Sequence, residues 1–347
     1  MAPPELADEG DPIGLQVGSV QSAVRTICVS VDTSPPVIDL AVEKKADLLV
    51  AHHPLIYVPL KTLDESDPTA RRVAKLVRSE TALYVMHTNY DAAPGGTNDV
   101  LARILGVMDC RPLTVRRRDK LHKIAVFVPE EAVEDVMSAM AEAGAGRIGQ
   151  YTHCSFRTPG TGTFVPLPAA QPYIGTSGKL ELVDEYRLEM ICAGSRLENV
   201  IDAMVEAHPY DEIARDIYEL ANEPVDYGCG RVGSLPEATT LGHFAELVRY
   251  SLNLSHAKLA GDVDMPVRKV ALCGGGASSL FKEAVNAGAD VYITGDTKHH
   301  DVLDANALGL AVIDAGHFET ERPGMAALAE RLASIYTESD VDVAFIQ

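Results

Sequence analysis

Three short clusters hold most of the side chains able to do chemistry. His52-His53-Pro54 closes the apolar run 47–51, His87-Thr88-Asn89-Tyr90-Asp91 follows the run 82–86, and His317-Phe318-Glu319-Thr320-Glu321 follows 310–313. The last two share the spelling His-x-x-x-carboxylate. Imidazoles and carboxylates ending several strands suit borderline divalent cations, and their number points to two metals rather than one. Adjacent imidazoles in a continuing strand would face opposite ways, but Pro54 cannot extend a central strand. A turn there would let His52 and His53 point into one cavity. His317 and Glu321 share a face if the residues between them are helical, and a helix start favours carboxylates. Asp91 has a second reading as a cap of the following turn.

Two further stretches are open to more than one reading. Gly274-Gly275-Gly276-Ala277-Ser278-Ser279 follows a predicted strand and opens a helix. That geometry can hold an anion or simply make a tight turn, and it lacks the ending of a P-loop and the spacing of a dinucleotide fingerprint. Asp296, Lys298, His299 and His300 follow the next strand. They could orient ligands, contact substrate or cap a helix, and Asp296 and His300 are the candidate catalytic helpers.

Internal repeats define the elements that must position these groups. Residues 126–144 and 190–208 align without a gap, each as an apolar strand, a turn and an amphipathic helix. In the helices Val133, Val136, Met137 and Met140 correspond to Leu197, Val200, Ile201 and Met204, the spacing of one buried face. Strand-like stretches are expected at 150–157 and 162–167 after the first helix, and at 212–220 after the second. Two such units predict a ferredoxin-like or PII/CutA-like α+β module at 120–225. The flanks, 1–119 and 226–347, are duplicated more weakly, since residues 29–52 and 272–295 both run strand, loop, helix, strand. The expected fold class is therefore α/β, a duplicated metal-binding α/β core interrupted by an inserted α+β domain. A helix is expected over 324–336, just after Pro323. In parallel sheets ligand sites gather at the carboxyl ends of strands, which is where the three clusters lie.

Composition narrows the partners. Thirty basic against 50 acidic residues give a net charge of −20, which disfavours nucleic acid and other polyanionic polymers. The one basic run, Arg116-Arg117-Arg118-Asp119-Lys120, reads as a solvated linker. No apolar run reaches the ~20 residues of a membrane span and no signal peptide is evident, so a cytoplasmic protein is expected. Six scattered cysteines read as small buried apolar residues without a catalytic role.

Jointly, Asp11-Pro12-Ile13-Gly14-Leu15-Gln16-Val17-Gly18, Ala51-His52-His53-Pro54-Leu55, His87-Thr88-Asn89-Tyr90-Asp91-Ala92-Ala93, Tyr292-Ile293-Thr294-Gly295-Asp296 and Gly316-His317-Phe318-Glu319-Thr320-Glu321 resemble the NIF-three-like dinuclear metal-centre family. Some members of that family carry the name GTP cyclohydrolase I type 2 homologue. The central Gly162-Thr163-Phe164, Pro172-Tyr173-Ile174-Gly175 and His208-Pro209-Tyr210-Asp211-Glu212 resemble its long-form insert. The resemblance implies metal ligands at His52, His53, Asp91, His317 and Glu321, with Glu321 as a candidate bridge. It also implies two divalent ions per subunit (zinc, iron, manganese or nickel) and a homohexamer with metal sites facing an internal cavity. The duplication adds His87, the partner of His317. One departure is the near absence of the family's helix before the Asp-x-x-Gly-Leu stretch. The implied function is a metal-dependent hydrolase acting on a nucleotide or other small phosphorylated molecule, with GTP ring opening as one variant. The alternative is a non-enzymatic metal-binding scaffold or regulator whose PII-like insert senses a ligand.

Overall fold

Runs such as Thr26–Ser30, Leu48–Ala51 and Val291–Thr294 are too continuously apolar to face water on either side. In the computed structural model each becomes an interior strand covered on both faces. The structure describes every residue except Gln150 and Glu338, so the start of the strand expected at 150–157 lies outside the described residues.

The first half runs β1 (Gly14–Val17), β2 (Thr26–Ser30), α1 (Pro35–Glu43), β3 (Leu48–Ala51), α2 (Pro68–Arg78), β4 (Ala82–Val85), α3 (Thr88–Ala92), α4 (Thr97–Ile104), β5 (Met108–Pro112) and β6 (Arg117–Asp119). The central segment holds β7 (Leu121–Pro129), α5 (Val133–Glu142), β8 (Ser155–Phe164), β9 (Glu181–Ala193), α6 (Leu197–Ala207), β10 (Arg215–Glu219) and β11 (Val225–Tyr227). The last part runs β12 (Arg231–Thr240), α7 (Leu241–Ser251), β13 (Lys258–Ala260), β14 (Pro266–Leu272), α8 (Phe281–Asn286), β15 (Val291–Thr294), α9 (His299–Ala307), β16 (Ala311–Asp314), α10 (His317–Ile335) and β17 (Asp342–Phe345). The chain forms two compact units, Met1–Arg117 with Tyr227–Gln347, and Arg118–Asp226.

Within the first unit the two halves exchange strands. One sheet has the order β1-β4-β3-β2-β17 and the other β13-β16-β15-β14-β12-β5. The late strand β17 thus lies parallel to β2, while the early strand β5 pairs with β12. Helices are exchanged too. From the first half, α4 packs Leu101, Ala102 and Leu105 against Val270, Leu272 and Ile293 of the second sheet. In return α10 places Met325, Leu328 and Ala329 on Ile27, Val29 and Val50 of the first. The two helices meet at Gly324, where a Cβ would lie 2.6 Å from the Cα of Thr97. The outer faces are closed by α1 and α2 on one sheet and by α8 and α9 on the other.

The second unit has the strand order β10-β7-β9-β8, all neighbours antiparallel, which is a ferredoxin-like βαββαβ arrangement. The repeated strand–turn–helix units pack side by side. Val133, Val136 and Met140 of α5 and Val200 and Met204 of α6 cover Ile124, Val126, Leu188 and Met190.

Three details differ from expectation. The strand break between 157 and 162 is absent, because β8 runs unbroken through Pro159. As an edge strand, β8 has one side on which no N–H is needed. The basic run is not a free linker: residues 117–119 form β6, and Arg116, Arg118 and Lys120 pair with Asp8, Asp226 and Glu219. Finally, α10 begins at His317 and carries Pro323 inside it. The proline removes one helical hydrogen bond, and the packing of the helix on the first sheet and on α4 outweighs that loss.

Alanine normally stabilises a helix by about 1 kcal/mol over glycine. At Gly324 the backbone of α4 occupies the space, so Gly324→Ala is expected to lower stability by about 1–3 kcal/mol. A shift of the urea midpoint to lower concentration at unchanged slope checks this.

Candidate metal centre

The strand ends supply the site. β3 ends at Ala51 and the chain bends at His52-His53, whose rings lie 5.2 Å apart. The backbone N–H groups of both residues still donate to Ser30 and Val31, so the bend is held by the neighbouring strand. His87 follows β4 as the cap of α3, and its ring lies 5.1 Å from that of His52 and 5.6 Å from that of His53. From the other half, α10 begins at His317 and turns Glu321 inward four residues later.

Glu321 is the meeting point. Its Oε1 lies 3.5 Å from His52 Nε2 and 3.2 Å from His317 Nε2, and its Oε2 lies 3.1 Å from His53 Nε2. Asp91 approaches His52 Nε2 to 3.6 Å, and the Nε2 atoms of His53 and His317 stand 3.2 Å apart. The structure therefore contains two groups able to hold a metal ion, His52–His53–His87 and His53–His317–Glu321, sharing His53. Of the five residues expected as ligands, His52, His53, His317 and Glu321 lie in these groups together with His87, while Asp91 belongs to neither and stands beside His52. His300 does not join them, lying exposed on α9 with its ring against His299.

The remaining contacts aim these atoms. His52 Nδ1 donates to the Met86 carbonyl at 2.8 Å. His87 Nδ1 bonds Asp11 Oδ1 at 2.8 Å, and His317 Nδ1 bonds Asp296 Oδ2 at 2.7 Å. In each case Nδ1 is engaged and Nε2 faces the cavity, the usual arrangement behind a metal-ligating histidine. Within this cluster two buried atoms, His52 Nε2 and Glu321 Oε2, are left without hydrogen-bond partners among the described residues. Such orphans are costly, and a cation would satisfy both.

The glycine loop after β14 is part of the same construction. At Gly275 (φ 70°) a Cβ would strike Glu321 Oε1. Its N–H donates to Thr320 Oγ1, and Gly274 N–H donates to Asn98 Oδ1. Asn98 also donates to the Asp91 carbonyl, so one buried amide links the two halves beside the site. Asp91 itself accepts from the Thr97 hydroxyl. Asp296 holds a positive φ of 49°, uncommon outside glycine and tolerated best by Asn and Asp. The roles of Asp11 and Asn98 were missed from sequence alone; the Asp-Pro-x-Gly-Leu spelling was the only signal for the first.

The charges balance within the cluster. Burial would depress His52, but Asp91 and Glu321 outweigh it and raise it to about 9. His317 rises to about 9 through its bond to Glu321, against burial, with help from Asp296. Burial would raise Glu321, yet the surrounding imidazoles hold it well below its ordinary range. Asp91 is pushed up by burial and by Glu321, only partly offset by His52 and Thr97.

An α/β protein of two strand-exchanged sheets, with histidines and carboxylates converging between their strand ends, is a candidate metalloprotein. The chain belongs to the Duf34/NIF3 (NGG1p interacting factor 3) family, which it matches over residues 1–347. It is 44% identical over 317 residues to a Bacillus subtilis (strain 168) protein named GTP cyclohydrolase 1 type 2 homolog, covering 91% of this chain and 85% of that one. A Bacillus cereus protein related to NIF3 has a similar crystal structure, with TM-score 0.85, 40% identity and coverage of 100% and 93%. Staphylococcus aureus SA1388 matches at TM-score 0.69 and 25% identity, covering 100% and 93%. No helix among the described residues is long and apolar enough to cross a membrane.

Because His52 and His317 are raised from 6.5 to about 9, the stability contributed by their bound protons is complete below pH 6.5 and is lost as pH rises through about 9. Chelator-treated protein is thus expected to show a falling urea midpoint between pH 6.5 and 9. A flat or rising midpoint across that window would contradict this charge balance.

Proposed function

We propose that the chain is a metal-dependent hydrolase whose centre takes two divalent cations and acts on a nucleotide or another small phosphorylated molecule. The observation that carries this reading is the convergence of imidazole Nε2 atoms on a buried Glu321 whose Oε2 has no hydrogen-bond partner. His52, His53, Asp91, His317 and Glu321 would hold the cations, with His87 as a sixth donor. Zinc, iron, manganese and nickel all accept such a set. Paired cations supply Lewis acidity and water activation suited to phosphoester hydrolysis or attack on a purine ring carbon.

The protein's own contribution is orientation and proton control. Asp11 and Asp296 hold Nδ1 of His87 and His317 and so turn each Nε2 toward the cavity. Asp296 is exposed at the rim, where its free oxygen can take a proton from an incoming group. The shared name of the curated relatives, GTP cyclohydrolase 1 type 2 homolog, supports a nucleotide as the first substrate to try.

The test begins with metal analysis of protein purified without added metal, followed by turnover assays on GTP and generic phosphoesters. The reading expects about two metals per chain and turnover abolished by His53→Ala and Glu321→Ala. No turnover, or turnover surviving both substitutions, refutes a hydrolase centred here.

Asp11→Asn and Asp296→Asn keep the shape of their side chains but weaken the bond that aims each imidazole. Each is expected to reduce affinity for added Zn²⁺ by about 10–100-fold, read by competition with a chromophoric chelator.

A further inference from the structure

The second unit contains a cavity of about 580 Å³ on the face of its sheet opposite α5 and α6. The loop after β8 folds over it, contributing Leu167, Tyr173 and Ile174, and Tyr210 closes it from the far side. In β9 alternate side chains face opposite ways, so while Tyr186 and Leu188 pack toward the helices, Glu185 points into this cavity.

Glu185 is only 9% exposed. One carboxylate oxygen accepts from the Tyr210 hydroxyl at 3.0 Å. The other lies over Gly162, where a Cβ would collide with it. No basic side chain forms an ion pair with Glu185 among the described residues. Arg187, two residues along the same strand, is turned to Glu189 at 3.0 Å. His208 cannot supply the charge either. Its Nδ1 accepts the Tyr210 backbone N–H at 3.1 Å while its Nε2 donates to the Phe127 carbonyl at 3.0 Å, which defines a neutral ring. A buried carboxylate without a counter-charge is costly, and the natural remedy is a cation from outside.

The walls say what kind. Tyr210 is ringed by Phe164 at 6.4 Å and Tyr173 at 6.1 Å, tilted at 61° and 46°. Aromatic faces around one acidic group attract cations, and Val165, Pro166 and Ile174 offer apolar surface that favours alkyl substituents on the nitrogen. Asp211 and Glu212 add negative charge at the lining.

We propose that this pocket binds a small alkylated ammonium ion, its nitrogen between the Tyr173 and Tyr210 rings and against the Glu185 carboxylate. The site lies wholly within Arg118–Asp226 and does not rest on the metal reading.

Titration calorimetry on the full chain tests it with choline and its neutral isostere 3,3-dimethylbutanol. Choline is expected to bind saturably and the alcohol about 10-fold or more weakly. Glu185→Gln keeps a partner for Tyr210 but removes the charge, and should weaken choline by about 10-fold. Tyr173→Ala, at an exposed ring, should weaken it about 3–10-fold without loss of fold by circular dichroism. Equal binding of choline and the alcohol would overturn the proposal, as would no saturable choline signal up to about 10 mM. If Glu185→Gln fails to fold, the comparison of the two probes on the unaltered chain still decides.

Discussion

A single buried carboxylate governs this structure. Glu321 reaches from α10 into imidazoles supplied by both halves of the first unit, and its charge is affordable only because they surround it. Each imidazole must therefore arrive from a fixed direction, and much of the nearby architecture follows from that demand. The glycines after β14 leave room for the carboxylate, Thr320 and Asn98 hold the loop that contains them, and α10 packs too closely on α4 to permit a side chain at Gly324. Protons or divalent cations can both neutralise the cluster. Were a metal bound there, protons and the cation would compete for the same lone pairs.

The exchange of strands and helices gives that carboxylate its precision. If the halves were merely docked, small rotations would move Glu321 relative to His52 by more than a hydrogen-bond length. With β17 in the first sheet, β5 in the second and α4 against α10 between them, the halves share their cores. The second unit solves a different problem with the same economy of charge. There Glu185 is buried among rings rather than imidazoles, and its one hydrogen bond comes from a phenol that burial and the carboxylate together keep protonated.

Much of this was legible in the sequence, for identifiable reasons. Continuous apolar runs mark parallel strands, and the polar residues that end them mark the site edge, so His52, His53, His87 and His317 could be nominated from position alone. The repeat of strand, turn and helix at 126–144 and 190–208 is legible in the sequence as two α+β units, and the structure makes each turn a 3₁₀ turn before the helix. What could not be read depends on distant partners. Asp11 lies far from His87 in the chain, and nothing local distinguishes it from a turn residue. The sequence places the start of α10 too late because Pro323 argues against the helical spacing of His317 and Glu321, a local rule overridden by packing on the first sheet and on α4. Strand exchange leaves no local trace at all.

The pairing of β5 with β12 bears on the order of folding. Pro112 and Arg231 are directly opposed in the second sheet although the whole central unit lies between them in the chain. Closing a loop of that length from an unfolded chain costs more entropy than closing a short turn. A folded central unit changes that cost, because Arg118 and Asp226 at its two ends are pinned 3.2 Å apart. Once it has formed, β5 and β12 behave as near neighbours in sequence. The domain thus shortens the effective separation of two strands that are distant in sequence, which lowers the entropy cost of pairing β5 with β12.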